Sequence, residues 1–169
     1  MSYEFRHLGI VSRIAPDVDD PLHLMEEIRS LVLKRASDMG ITGFMLLSAR
    51  HVVMLLEGTE RDLRGPQSSI LRETSLRAHR LLIEKQVNRR LFSRWPLPID
   101  ELSPSEFAQL TGVPRHVVMG AAKPFLGSED MNKLVVSAYL SHELQQPPWA
   151  DVRIITREHE EAAIAARIT

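Results

Sequence analysis

Side chains able to do chemistry are few in this sequence and are not spaced for it. There are seven histidines and no cysteine, which excludes disulfides, thiolate metal sites and thiol catalysis. His7, His51 and His79 fall on or beside different strand-like segments, but no H-E-x-x-H or comparable ligand spacing joins them, so no metal site is expected. Serines are plentiful, yet none stands in a G-x-S-x-G elbow. A P-loop and a G-x-G-x-x-G turn are both missing. The sequence therefore does not read as an enzyme. What it distributes unevenly is charge. Arg61, Arg64, Arg72, Arg77, Arg80, Lys85, Arg89, Arg90 and Arg94 are opposed in that stretch only by Asp62, Glu73 and Glu84. A solvated helix face and strand edge is the plain explanation; a docking surface for an acidic protein is the competing one, with Arg89, Arg90 and Arg94 as interface candidates. The acidic run Asp17, Asp19 and Asp20, with Glu26 and Glu27, has the complementary sign for a contact with a neighbouring subunit.

The whole chain is balanced. Its 169 residues carry a formal charge of −1, with 44% hydrophobic and 25% charged residues. That is enough chain for one domain with a buried core, or one domain with a small appendage. The balance gives no reason to expect nucleic acid or an anionic membrane as partner. No apolar run approaches the ~20 residues of a membrane span, and no targeting segment is visible at the start. A cysteine-free composition fits a reducing cytoplasm, the expected location.

The elements that would position these residues read as follows. A strand is expected over residues 7–13, apolar at Leu8, Ile10 and Val11. Asp20-Pro21 then supplies an N-cap and first helical position, and apolar residues recur at helical spacing over 22–39 until Gly40. Strands at 41–47 and 52–57 form a hairpin. A second helix follows over 60–73, with Gly65-Pro66 as a point of interruption. A strand at 79–87 and a short extended segment at 91–95 complete the series. Pro96 and Pro98 argue against a central strand there. The order is α+β, a ferredoxin-like split βαβ pattern with one added strand and both helices on one sheet face. Beyond it, helices are expected at 104–110, capped by Ser103 with Pro104 at the first position, and at 115–122 and 128–144. A short strand at 151–155 and a helix at 157–167 would end the chain. This divides it into a domain over 1–100 and a helical extension over 101–169 packed on the open sheet face.

Three motifs sharpen this reading: Gly40-Ile41-Thr42-Gly43 after the first helix, Leu55-Leu56-Glu57-Gly58 at the end of a strand, and Arg90-Leu91-Phe92-Ser93-Arg94-Trp95 downstream. Their order and spacing over about residues 5–100 resemble the BLUF family of flavin-binding blue-light sensors. The resemblance implies the βαββαββ BLUF fold with C-terminal capping helices. It also implies a flavin pocket whose positions here are Ile10, Arg35, Ala36, Met54, Trp95 and Leu97. The family's photochemistry uses a tyrosine where this chain has Ile10, a glutamine where it has Met54, an asparagine pair where it has Arg35 and Ala36, and a methionine where it has Leu97. Isoleucine cannot donate an electron and a proton, a thioether cannot donate a hydrogen bond, and alanine offers no partner for the flavin edge.

The expectation is thus a degenerate BLUF-fold protein without FAD. Its work would be regulatory or assembly work done through a protein partner or a homo-oligomer, with no catalysis. The alternatives are an FAD-binding photoreceptor that uses Trp95 in the pocket, or a sensor of another small ligand in the vacated cleft. Met54 and Ile10 are expected as core residues, and Glu57 as a turn or cap residue at Gly58-Thr59.

Overall fold

The computed structural model describes residues 4–34, 40–93, 95–112, 114–120 and 127–143. Strand β1 (Phe5–Ile14) leads into α1 (Pro21–Lys34), and a hairpin of β2 (Thr42–Ser48) and β3 (His51–Gly58) follows. Then come α2 (Glu60–Arg72), β4 (Leu76–Val87), β5 (Pro96–Leu102), α3 (Pro104–Thr111), α4 (Arg115–Gly120) and α5 (Ser128–Glu143). The sheet order is β4-β1-β3-β2-β5, antiparallel except for the parallel β2–β5 pair. This is the expected α+β fold.

The caps explain where the helices begin. Asp20 Oδ1 accepts from the His23 N–H at 3.1 Å, one residue before Pro21. Thr59 Oγ1 accepts from Asp62 N at the start of α2. Ser103 and Glu106 form a reciprocal capping box with Pro104 in the first turn of α3. Gly65-Pro66 does not interrupt α2, which runs through Pro66 and buries it. Pro66 has no N–H for the intrahelical bond of that turn, and its ring is buried.

The β1–β3–β2 register is unbroken, so alternation assigns every residue to a face. Leu8, Ile10, Val52, Met54, Leu56, Met45 and Leu47 form one core with Met25, Ile28 and Val32 of α1 and Leu63 and Ile70 of α2. Val11, Phe44, Leu46, Val53 and Leu55 form the other, with Phe107 of α3, Val118 of α4 and Met131 and Leu134 of α5. The sheet is therefore covered on both faces, and β2 and β3 are buried along their whole length.

Two expectations on strands need correction. The segment placed at 91–95 is not a strand among its described residues, where Trp95 N donates back to Phe92 O at 3.0 Å, and the strand is β5 at Pro96–Leu102. Both prolines are accommodated because β5 is an edge strand with a neighbour on one side only. β4 begins three residues earlier than expected and is irregular, with register shifts against β1 between Gly9 and Ile10 and between Val11 and Arg13. Ala78 takes φ +54° at the second of these. Bulges and charged side chains on an outer strand blunt its unpaired edge against other chains. The strand and helix expected at 151–155 and 157–167 lie outside the described residues. Among the described residues, no helix is long and apolar enough to cross a membrane.

Candidate functional site

Cross-strand registers put Ile10 opposite both Met54 and Leu81, and Met45 opposite both Met54 and Ile99. One row therefore crosses all five strands as Leu81, Ile10, Met54, Met45 and Ile99, on the face that carries α1 and α2. Ile10, Met54 and Met45 are each 0% exposed. Nothing along this row can donate a hydrogen bond. Between the apolar residues of β1, Ser12 faces the same side, but its hydroxyl is tied to His79 Nδ1 at 2.7 Å. Burial lowers the pKa of His79. The cation of α1 nearest this edge, Arg29, donates to Leu97 O at 2.7 Å and Pro96 O at 3.0 Å. Arg35 and Ala36 lie outside the described residues.

Leu97 and Trp95 are only two residues apart but serve opposite faces. Leu97 is fully buried with the α1–α2 core, and Trp95 packs with Phe44 and Phe92 on the other side, at ring-centroid distances of 6.2 and 5.6 Å. A tight reversal makes this possible. Trp95 O accepts from both Leu97 N at 2.7 Å and Gly43 N at 3.0 Å, and Leu97 takes φ +58°, a strained value for a leucine. The glycines of the Gly40–Gly43 motif have backbone reasons. Gly40 has φ +70° and Gly43 φ +129°, and a Cβ on Gly43 would stand 1.9 Å from Leu55 O.

Sequence reasoning missed the role of Glu57. It does not cap at Gly58-Thr59; the cap is Thr59 itself. Glu57 is 0% exposed on the opposite face from Met54 and is a hub. Its Oε2 accepts from His7 Nε2 and Leu91 N, both at 2.7 Å, and its Oε1 accepts from Thr42 Oγ1 at 2.8 Å and Phe92 N at 2.9 Å. Burial alone would raise the Glu57 pKa, but the bonds from His7, Leu91, Phe92 and Thr42 outweigh it and hold the pKa below the usual value. The available signal was an acidic residue inside an apolar run; its backbone partners, more than thirty residues on, leave no local trace.

The three strand histidines do not converge. His7 pairs with Glu57 near one end of the sheet, and His51, opposite Arg13, lies at the other end of the same face. His79 is on the α1–α2 face beside Ser12. His51 Nε2 is 2.9 Å from Val118 O and 3.0 Å from Arg13 Nη1. Burial lowers its pKa, the Val118 carbonyl raises it, and the Arg13 charge lowers it, with a net downward shift. Of the arginine candidates, Arg89 is exposed and Arg94 is outside the described residues. Arg90 turns inward, donating to Thr42 Oγ1 at 3.2 Å and Gly40 O at 2.8 Å, with its guanidinium 4.9 Å above the Phe5 ring. It clamps the segment after β4, so reversing its charge would perturb the fold as well as any rim.

The family model for BLUF, sensors of blue-light using FAD, matches residues 7–98. No curated protein sequence matches the chain. Among solved structures, the BLUF protein BlrB in its dark state is 20% identical with a TM-score of 0.61, over 83% of this chain and 99% of its own. BlsA in its photo-activated state is 13% identical with a TM-score of 0.60, over 76% of this chain and 90% of its own. These two share the fold. Klebsiella pneumoniae BlrP1 with FMN and cyclic diGMP is 26% identical with a TM-score of 0.50, over 57% of this chain and 26% of that larger one.

Proposed function

Given that the chain belongs to the BLUF family, sensors of blue-light using FAD, we propose that it is a flavin-free member acting as a regulatory or assembly module through protein–protein contacts, without photochemistry or catalysis. The observation that carries this reading is the buried row of Ile10, Met54 and Met45 beneath α1 and α2. A light-driven switch of the family type needs a side chain that gives up an electron and proton, and an amide that exchanges hydrogen bonds. Ile10 and Met54 do neither.

Magnitudes point the same way. An isoalloxazine placed against this row leaves polar atoms unpaired, at roughly 1–3 kcal/mol each. Two such atoms weaken binding by about 30-fold at the least and by about four orders of magnitude at the most. The closed packing adds a further cost, because the helices must separate from the sheet before a ring can enter.

What remains for function is surface. Arg61, Arg64, Arg72, Arg77, Arg80, Lys85 and Arg89 are all exposed along α2, β4 and the turn after it. The test is direct: the chain is produced in flavin-replete cells, purified, denatured, and the released flavin is measured against protein. The expected yield is far below one flavin per chain, and stoichiometric release would refute the proposal.

A further inference from the structure

We propose that the chain binds a phosphate group, as the free ion or on a small phosphorylated molecule, between Arg13 of β1 and Arg77 and Arg80 of β4. The site lies on the sheet face that carries α3, α4 and α5. The row of Ile10, Met54 and Met45 is on the other face, so the site stands or falls separately from the flavin-free reading.

Strand register assembles the three arginines. Arg13 is directly opposite Arg77, and Arg80 is opposite Val11, two residues back along β1. Val11 belongs to the core beneath α3, α4 and α5, so Arg13 and its partner share that face. Arg77 and Arg80 are three residues apart, a spacing that puts the side chains of a regular strand on opposite faces. The irregularity between them, where Ala78 takes φ +54°, brings both to one face. That angle is unfavourable for alanine, and strain of this kind collects at ligand sites. Arg77 and Arg80 are exposed and Arg13 is half-buried, so the cluster can be reached from solvent.

The cluster is short of acceptors. Like charges directly opposite on neighbouring strands, with Cβ atoms about 5 Å apart, repel each other. Among the described residues, none of the three arginines forms an ion pair. Arg50, in the turn between β2 and β3, adds a further charge, with its own guanidinium committed to Ala15 O at 2.8 Å and Val18 O at 2.9 Å. Burial, and then the Arg50 charge, lower the pKa of Arg13. The Arg13 guanidinium faces His51 Nε2 at 3.0 Å, but that nitrogen also lies 2.9 Å from Val118 O. A ring nitrogen carries either a proton for Val118 or a lone pair for Arg13, never both. An anion that takes over Arg13 leaves the proton for Val118 and relieves the repulsion between Arg13 and Arg77. Phosphate suits the cluster better than carboxylate. One guanidinium fork already occupies both oxygens of a carboxylate, whereas a phosphate projects its oxygens in three dimensions and can meet forks from two strands.

An NMR shift titration of the full chain with inorganic phosphate, and separately with glycerol 3-phosphate, tests this at ionic strength matched with sodium chloride. Saturable shifts at the amides of residues 11–13 and 77–80 are expected, with a Kd of about 1 mM or tighter. Equal affinities would assign the site to the free ion, and tighter glycerol 3-phosphate binding to a phosphorylated small molecule. Arg77→Gln with Arg80→Gln should weaken binding about tenfold or more. Arg13→Lys, which keeps the charge and loses the fork, should weaken it by a similar factor. Arg61→Gln with Arg64→Gln, at exposed positions of α2, should bind like wild type. Circular dichroism checks folding, and the exposed Arg77 and Arg80 carry the test if Arg13→Lys does not fold. No saturation up to about 10 mM phosphate, wild-type affinity in the Arg77 and Arg80 variant, or an equal loss in the α2 variant would overturn the inference. A flavin-free chain that ignores phosphate would sink this site alone; a flavin-loaded chain that binds phosphate here would sink the flavin-free reading and leave the site standing.

Discussion

Replacing Glu57 by glutamine keeps the shape of a fully buried side chain and changes only its chemistry. The carboxylate accepts four bonds, two on each oxygen. An amide substitutes an NH2 group for one of those oxygens. If it replaces Oε1, the Thr42 hydroxyl can turn and accept, but the Phe92 N–H faces another donor. If it replaces Oε2, the His7 ring can present a lone pair by changing tautomer, but the Leu91 N–H is stranded. Either way one buried backbone donor goes unpaired, at about 1–3 kcal/mol, and the remaining bonds lose their charge assistance. The expected loss is about 2–4 kcal/mol of unfolding free energy, read as a lower urea midpoint at unchanged slope. Hydrogen exchange at the Leu91 and Phe92 amides should accelerate selectively. A loss below about 0.5 kcal/mol, the level of an ordinary surface change, would refute the claim that this carboxylate anchors the segment between β4 and β5.

Other outcomes follow from the same geometry. Gly43→Ala should cost about 3 kcal/mol or more, measured by thermal or urea unfolding, because a Cβ collides with Leu55 O at a backbone angle closed to alanine. Met54→Gln should cost roughly 1–3 kcal/mol by burying an amide without partners; a neutral result would mean the row is open to solvent or ligand. Stability should fall as the solution is acidified from about pH 6.5, since His51 and His79 have lowered pKa values and resist protonation in the fold while the unfolded chain takes up protons. A second decline should begin near pH 4.5 and continue downward, because Glu57 stays ionised in the fold below the pH at which it protonates in the unfolded chain. His51→Gln should flatten part of the first decline in a pH series of denaturation midpoints.

The parts of the fold written in local chemistry were legible in the sequence. Asp20-Pro21 and Ser103-Pro104 mark helix starts with side chains that act within one turn, and Gly40 and Gly43 mark backbone angles that other residues resist. The burial of Ile10 and Met54 followed from strand alternation. What escaped the sequence depended on distant partners. β5 was displaced because its prolines are tolerable only at a sheet edge, and edge position is a property of the finished sheet. Glu57 was misjudged because its donors arrive from β1, β2 and the turn after β4. Arg90 counted as surface charge until Gly40, Thr42 and Phe5 closed around it.

The most direct test of the central claim is a titration of the purified chain with FAD, followed by flavin absorbance and by the visible difference spectrum under blue light. The closed apolar row of Ile10, Met54 and Met45 predicts no saturable binding at micromolar FAD and no light-induced spectral shift. Stoichiometric micromolar binding with a reversible red shift on illumination would contradict it.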